Sequence, residues 1–474
     1  MIKNVCCIGA GYVGGPTMSV FSDKCKDIVF NVVDVNEERI EAWNSDDLDK
    51  LPIYEPGLDE IVERCRGNNL FFSCEVKKCI AEADMIFISV NTPTKTKGIG
   101  AGKASDLKWV ESCARQISKY ATLHTIVVEK STLPVRTGEV IKEILDSSKP
   151  LENKNSTFDI LSNPEFLAEG TAINDLLNPD RVLIGGENQD AINELHSIYK
   201  NWIPEEKIIH TNLWSSELSK LTANAFLAQR VSSINSIGAL CEATGADIRE
   251  VSRAIGKDSR IGAKFINCGP GFGGSCFKKD ILNLVYLANY FGLPEVGDFW
   301  ESVVLLNSWN QNRMSRIILQ KLFGTLTGKK IAILGFAFKA NTNDTRESPA
   351  IQICKSLLEE GANLKIHDPK VSKKQISNDL SIPPEDECIK NPEFNKLYSD
   401  KKWNKYSLTE DFFNDVDAIV ILTEWVIYSK LDWKVISNKL RSPAWVFDTR
   451  LIVNEQEVLE SGLNLWRVGD GTLN

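Results

Sequence analysis

Hydrophobic residues in the first half of the chain come in short continuous runs, each ending at glycine or a polar cluster. Val5–Ile8 stops at Gly9 and Ile28–Val33 at Asp34. Met85–Val90 stops at Asn91-Thr92-Pro93-Thr94, Thr125–Glu129 at Lys130-Ser131-Thr132, and Asp159–Leu161 at Asn163-Pro164-Glu165. Such runs predict strands buried on both faces, as in a parallel sheet, with helices between them. Near residue 216 the period changes to that of a helix. In Ser216–Phe226, Leu218, Leu221 and Ala225 make one stripe, while Lys220 and Asn224 share another face. The run Ala228–Thr244 is long and largely uncharged, which predicts burial against another subunit. Strand-like runs return at Lys330–Phe338, Asn363–Asp368, Ala418–Thr423 and Ala444–Phe447, and the polar stretch Lys370–Lys405 reads as a surface excursion. The pattern is α/β: two doubly wound domains, 1–215 and 326–474, joined by a central, mainly helical domain, 216–325, with a long helix.

The turn after the first strand is Gly9-Ala10-Gly11-Tyr12-Val13-Gly14, and Asp34 closes the second strand twenty residues later. That is the dinucleotide fingerprint in its strand–turn–helix–strand context, so the first domain is Rossmann-like. Gly9 permits the tight turn, Gly11 lets a pyrophosphate approach the backbone, and Gly14 lets helix and strand pack. Asp34 accepts from a ribose 2′-hydroxyl and repels a 2′-phosphate, which selects NAD over NADP; Arg39, five residues on, is within reach of the adenosine, although a solvated helix arginine is the commoner fate. Polar clusters at later strand ends, Val90 to Thr94 and Ser131-Thr132 among them, rim the same cleft. The second series has only Gly335 where the first has three glycines, which argues against a second dinucleotide site. The stretch Thr94–Gly102 lacks phosphate-loop spacing and reads as a mobile loop.

Between the two series lies Gly269-Pro270-Gly271-Phe272-Gly273-Gly274, followed by Cys276 and Asp280 at the head of an apolar helical run. Glycines allow close approach and positive φ. A thiol at a helix N-terminus beside Lys278 and Lys279 gains thiolate character. Taken alone, a lone cysteine is more often a small core residue.

With 474 residues the chain holds two or three domains, and a net charge of −9 without a basic tract disfavours nucleic acid. Twelve scattered cysteines without a CxxC pair predict reduced thiols and a cytoplasmic protein. The four histidines, at 124, 196, 210 and 367, lack metal-ligand spacing, so no metal is expected. Neither a leader peptide nor a membrane span is evident.

The segments GAGYVGGP, SVNTPT, NPEFLAEG, SSELSKLTANAF, GFGGSCFKKD and GFAFK together resemble the nucleotide-sugar dehydrogenases. The likeness to animal-type members extends to connecting sequence such as Asn178–Gly186. The resemblance implies oxidation of UDP-glucose at C6 to the carboxylate, with two NAD per turnover, through a thiohemiacetal and a thioester on Cys276. It implies that Lys220 and Asn224 stabilise the alkoxide and that Glu165 and Asp280 move protons and activate water, with Thr132 beside them. Gly9, Gly11, Tyr12, Val13, Gly14, Asp34, Arg39, Val90, Asn91, Thr92, Thr94, Ser131, Thr132, Glu169, Cys276 and Arg346 would surround NAD. Glu165, Phe166, Leu167, Ala168, Glu169, Lys220, Asn224, Phe265, Phe272, Gly273, Phe338 and Lys339 would enclose the nucleotide sugar. Arg260, reaching across a subunit interface, and Arg450 would contact its sugar or phosphates. Asn267 departs from the lysine of animal-type members, and the chain stops at Asn474 without the longer tail of some relatives. A homo-oligomer is implied, with a dimer as minimal unit and a hexamer as the common assembly. The competing readings are another nucleotide sugar (GDP-mannose or a UDP-N-acetylhexosamine), a two-electron β-hydroxyacid dehydrogenase, and a catalytically silent nucleotide-sugar-binding protein.

Overall fold

The computed structural model describes residues 1–150 and 155–472, so Asn474 lies outside it. The chain forms two compact units, Met1–Ala223 with Leu282–Gly297 and Asn224–Ile281 with Asp298–Asn474.

The first unit is built on an eight-stranded sheet: β1 (Asn4–Ile8), β2 (Val29–Val33), β3 (Leu70–Ser73), β4 (Met85–Ile88), β5 (Thr125–Glu129), β6 (Phe158–Ser162), β7 (Val182–Gly186) and β8 (Ile208–Thr211). Their order is β3-β2-β1-β4-β5-β6-β7-β8, and every pairing is parallel except β6 with β7. Val5–Cys7 and Met85–Ile88 are buried on both faces, which is why they read as continuous apolar runs rather than alternations. The helix Gly14–Lys24 is pinned to the sheet by Phe21. Its ring is fully buried and meets Phe30, Phe87, Tyr199 and Trp202 edge-on at centroid distances of 5.1–6.1 Å. The sheet order reverses between β1 and β4, so the carboxyl ends of these strands open a crevice at the glycine turn.

The second unit holds a six-stranded, wholly parallel sheet: β9 (Lys330–Leu334), β10 (Asn363–His367), β11 (Lys402–Lys405), β12 (Ala418–Ile421), β13 (Trp445–Asp448) and β14 (Asn464–Arg467). Its order, β11-β10-β9-β12-β13-β14, repeats the arrangement of β1 to β6. Between β8 and β9 the described residues form helices and loops only.

Two expectations need correction. Lys370–Lys405 is not merely a surface excursion, because β11 lies within it and pairs with β10 at the sheet edge. One aromatic residue anchors that strand: Trp403 is 1% exposed and donates its indole N–H to Ile382 O at 3.0 Å. A single apolar position among lysines suits an edge strand but leaves little periodic signal. The two helical runs of the middle region are one helix, Leu213–Thr244, because neither proline nor glycine interrupts Phe226 to Ala228. This helix contributes Leu213–Ala223 to the first unit and Asn224–Thr244 to the second.

Candidate active site

In the first unit the glycine turn has the three properties its spacing predicts. Gly9 has φ +112°, and a Cβ there would lie 2.2 Å from Ser89 O; a Cβ on Gly14 would lie 2.0 Å from Gly9 O. Around Gly11 nothing comes within 4 Å of that position, leaving open space where a pyrophosphate would approach the backbone. Asp34 Oδ2 accepts the Ala10 N–H at 3.0 Å and Oδ1 accepts the Asn36 N–H at 3.0 Å, so the carboxylate is fixed at the end of β2. Arg39 Nη1 donates to Asp34 Oδ2 at 2.9 Å. Opposite, the ends of β4 and β5 are locked together. Ser131 Oγ donates to Val90 O at 2.6 Å and Thr92 Oγ1 to Thr132 O at 3.1 Å. Tyr12 and Val13 lie in the glycine turn after β1, and Val90, Asn91 and Thr94 follow β4. The stretch expected to be mobile is tied by an antiparallel bridge from Thr94 to Ser105 and by Lys95 N donating to Ala104 O at 2.8 Å. The open face at Gly11, the fixed carboxylate and the close packing at Gly9 and Gly14 fit a dinucleotide.

A second polar group of the first unit follows β6. Glu165 and Lys220 are 9% and 5% exposed and form an ion pair at 3.7 Å. Phe166 lies under two cations, the Arg181 guanidinium at 3.7 Å from its centroid and Lys220 Nζ at 5.2 Å. Leu167, Ala168 and Glu169 continue the segment. Glu55, itself buried, fixes its far end by accepting the N–H of Gly170 at 2.7 Å and of Ala172 at 3.1 Å. Below β5, Lys130 Nζ donates to Asn163 Oδ1 at 3.0 Å and to Tyr199 OH at 3.3 Å, and burial lowers its pKa to about 8.

Glu129 and Glu217 are residues that sequence reasoning passed over. Glu217, one helical turn before Lys220, accepts the N–H of Arg136 at 2.6 Å and of Gly138 at 2.9 Å, capping the helix Thr137–Ser147 beyond the Ser131-Thr132 segment. Glu129, at the end of β5, meets the same carboxylate. Burial raises both acids, Glu129 well above the carboxylate range with the neighbouring charge of Glu217 adding to it, so neutral Glu129 is the donor of the pair. A raised carboxyl pKa stabilises the fold at low pH, and that contribution is lost as pH rises from about 4.3 towards the raised value. Glu129→Gln keeps a neutral donor and removes the titration. The melting temperature of that variant is expected to fall less than that of the parent as pH rises above about 4.3, read by calorimetry.

In the second unit the glycine loop is held at both ends by asparagines. Gly269 N donates to Asn235 Oδ1 and Asn310 Nδ2 to Gly269 O, both at 2.9 Å. Asn307 accepts from Phe272 N at 2.9 Å and donates to Phe272 O at 3.1 Å. A Cβ on Gly273 would lie 2.6 Å from Glu347 O and 2.8 Å from Phe338 Cβ, so only glycine passes there. The loop delivers Cys276 to the position just before the helix Phe277–Tyr290. Cys276 is exposed, and all other cysteines except Cys74 are buried. Burial pushes Cys268 up to about 12, which keeps that thiol inert. One turn on, Asp280 is 1% exposed and accepts from Asn224 Nδ2 at 2.6 Å. The two lysines expected beside the thiol have carboxylate partners, Lys278 with Glu347 at 2.8 Å and Lys279 with Asp280 at 3.2 Å.

The remaining predicted residues of this unit fall into two sets. Phe338, Lys339, Arg346 and Arg450 gather about the β9 turn, where Arg450 donates to Leu422 O at 2.8 Å and Phe338 O at 3.0 Å and Arg346 pairs with Asp344. Arg260, Phe265 and Asn267 lie on the exposed stretch after the helix Ile248–Gly256, and Arg260 pairs with Asp258. At the end of β10, Asp368 occupies the place that Asp34 takes after β2. Five N–H groups converge on it: Phe336 at 2.8 Å, Ala337 at 3.0 Å, Lys370 at 2.9 Å, Val371 at 3.0 Å and the Trp425 indole at 3.3 Å. No helix among the described residues is long and apolar enough to cross a membrane. Nor is there, among them, a group of three or more side chains arranged to hold a metal ion.

Two doubly wound sheets, a dinucleotide turn and a thiol presented by a clamped glycine loop define a class of pyridine-nucleotide oxidoreductase. The chain belongs to the UDP-glucose/GDP-mannose dehydrogenase family and is an NAD-dependent oxidoreductase; the family's NAD binding domain matches residues 3–203, its central domain 214–309 and its UDP binding domain 332–455. It is 55% identical over 469 residues to UDP-glucose 6-dehydrogenase of Drosophila melanogaster, covering 98% of this chain and 96% of that one. It is 53% identical over 476 residues to UDP-glucose 6-dehydrogenase 4 of Arabidopsis thaliana, covering 99% and 97%. Among solved structures, a UDP-glucose dehydrogenase of Pyrobaculum islandicum superposes with a TM-score of 0.82 at 28% identity, over 99% of this chain and 98% of that one. A UDP-D-ManNAc dehydrogenase of Pyrococcus horikoshii reaches 0.81 at 22% identity, over 99% of this chain and 100% of that one, so the fold is shared across sugars.

Proposed function

We propose that this protein oxidises the C6 alcohol of UDP-glucose to the carboxylate, giving UDP-glucuronate, in two hydride transfers and one hydrolysis through a covalent adduct on Cys276. The observation that carries the reading is an exposed thiol at a helix start, delivered by a clamped glycine loop one turn from the buried Asp280–Asn224 pair. The family membership and the UDP-glucose activity in the names of the relatives support it. Gly9, Gly11, Gly14 and Asp34 hold NAD, with Arg39, Thr132, Glu169 and Arg346 around it. NAD, one molecule for each oxidation, supplies the hydride acceptor.

In the first oxidation Glu165 takes the hydroxyl proton through water, while the Lys220 ammonium and the Asn224 amide donate to the alkoxide oxygen. The Cys276 thiolate then adds to the aldehyde carbon, forming a C–S bond and an oxyanion that is protonated to the thiohemiacetal. Loss of that hydroxyl proton and of the second hydride leaves the thioester. Asp280 takes a proton from a water as its oxygen bonds to the carbonyl carbon, the C–S bond breaks with its electron pair returning to sulfur, and the second proton passes to solvent, leaving the carboxylate and the thiolate. Lys220 and Asn224 supply the charge stabilisation here, so the reading uses no metal.

Phe338, Lys339 and Arg450 bind the nucleotide in this reading, with Glu165 to Glu169, Phe265, Phe272 and Gly273 enclosing the sugar. Residues 1–215 form the NAD domain, 216–325 the central domain and 326–474 the UDP-sugar domain. A homo-oligomer, a dimer at least, is supported by Phe226, Ile237, Leu240, Leu305 and Trp309, large apolar side chains exposed on two long helices. Twelve cysteines without a disulfide agree with a reducing, cytoplasmic setting. The test is NADH formed per UDP-glucose consumed, with GDP-mannose in parallel. Two NADH, and none from GDP-mannose, is the expected result. One NADH would remove the thioester, and turnover of the other sugar alone would change the substrate while keeping the chemistry.

A further inference from the structure

Arg230, half-buried on the long helix, gives all of its fork to one stretch of backbone. Its Nε donates to Lys264 O at 3.0 Å, Nη1 to Ile261 O at 2.8 Å and Nη2 to Gly262 O at 2.9 Å. The stretch begins as a turn in which Asp258 O accepts the N–H of Ile261 at 3.0 Å and of Gly262 at 2.8 Å. Two residues within four positions are left-handed, Gly262 at φ +73° and Phe265 at φ +62°. For a bulky residue such as phenylalanine that conformation persists only where the surroundings impose it. Neither a helix nor a strand takes up these three carbonyls, and a rigid planar fork of donors is the group able to satisfy them together. On this stretch Arg260 is 87% exposed at its side chain, and Phe265, 43% exposed, sets its ring 6.4 Å from that of Phe277, the residue after Cys276.

We propose that Arg230 is a positioning residue for nucleotide-sugar binding: by bonding Ile261, Gly262 and Lys264 it holds Arg260 and Phe265 in one arrangement. This rests on the reading above, in which Phe265 encloses the sugar, and on the sugar or phosphate contact that the family resemblance implies for Arg260. The Arg230 guanidinium hydrogen-bonds to backbone carbonyls, so its removal is expected to loosen substrate binding and leave the chemistry and the cofactor alone.

The variants Arg230→Met, Arg230→Lys and Phe265→Ala in the full-length enzyme separate the possibilities, with KM for UDP-glucose, KM for NAD, kcat and melting temperature measured for each. Arg230→Met is expected to raise KM for UDP-glucose by roughly tenfold or more, with kcat and KM for NAD within about twofold of the parent. Arg230→Lys, a point charge that cannot span three carbonyls, recovers only part of the loss. An unchanged KM for UDP-glucose in Arg230→Met, while Phe265→Ala raises it, overturns the proposal and leaves the substrate assignment standing. If Phe265→Ala is also without effect, the assignment of the turn to the substrate has failed and the proposal falls with it. Should Arg230→Met not fold, Gly262→Ala strains the same turn without touching the guanidinium, and it must give the same KM split for the proposal to stand.

Discussion

Replacing Cys276 with serine is expected to lower turnover by about a thousandfold or more while leaving UDP-glucose binding within a few-fold of the parent. The exchange changes one atom and little volume, so the clamped loop from Gly269 to Gly274 has no reason to move. What changes is the nucleophile. A thiol ionises near pH 8.5 and lower at a helix start, whereas a serine hydroxyl needs a strong base to attack at all. The ester that serine would form also hydrolyses more slowly than a thioester. Steady-state NADH production paired with calorimetric binding of UDP-glucose reads both halves of the prediction. A serine variant turning over within tenfold of the parent would remove the covalent route and leave a stepwise oxidation through free aldehyde hydrate.

The second large effect belongs to Lys220. Lys220→Ala is expected to cut kcat by roughly a hundredfold to a thousandfold, the loss found when one preorganised donor to a developing oxyanion is removed. It should also destabilise the protein by about 3–5 kcal/mol, because Glu165, 9% exposed and 3.7 Å away, is left as a buried charge without its partner. The two losses separate in a double-mutant cycle. Adding Glu165→Gln to Lys220→Ala should restore much of the melting temperature, since a neutral amide tolerates burial better than a lone carboxylate, but none of the turnover. Recovery of both would mean that Lys220 acts only through the fold.

The parts of the site legible in the sequence are those whose chemistry is local. Gly9, Gly11, Gly14 and Asp34 stand at fixed spacing because one turn, one helix and one strand set their separation. The φ of Gly9 and the tight surroundings of Gly14 are what that spacing requires. Cys276 and Asp280 were legible for the same reason, one helical turn apart at a helix start. The partners that hold these groups come from far along the chain. Glu217 caps backbone about eighty residues away, and Asn235, Asn307 and Asn310 clamp the glycine loop from other segments. A weak local signal existed, because asparagine inside an otherwise apolar helical run is costly unless it is satisfied. The strand β11 was hidden by its position, since an edge strand buries one residue, Trp403, where a central strand buries all. Nothing in the sequence around Arg230 marks its role, and only the left-handed turn it bonds gives its fork a purpose.

The ring of donors around Asp368 bears on redesign. In the first unit the carboxylate of Asp34 caps one residue of its glycine turn, Ala10, and answers to a single arginine. In the second unit the corresponding carboxylate binds two residues of the β9 turn, two of the chain after β10 and an indole. It works as a rivet. Grafting the glycines of the first turn onto Gly335–Phe338 would therefore open the backbone without freeing an acceptor for a ribose. A protein engineer seeking a second cofactor pocket would first have to replace the rivet with another fastening, and Trp425, the one side chain among these five donors, is the piece that can be changed without rebuilding the turn.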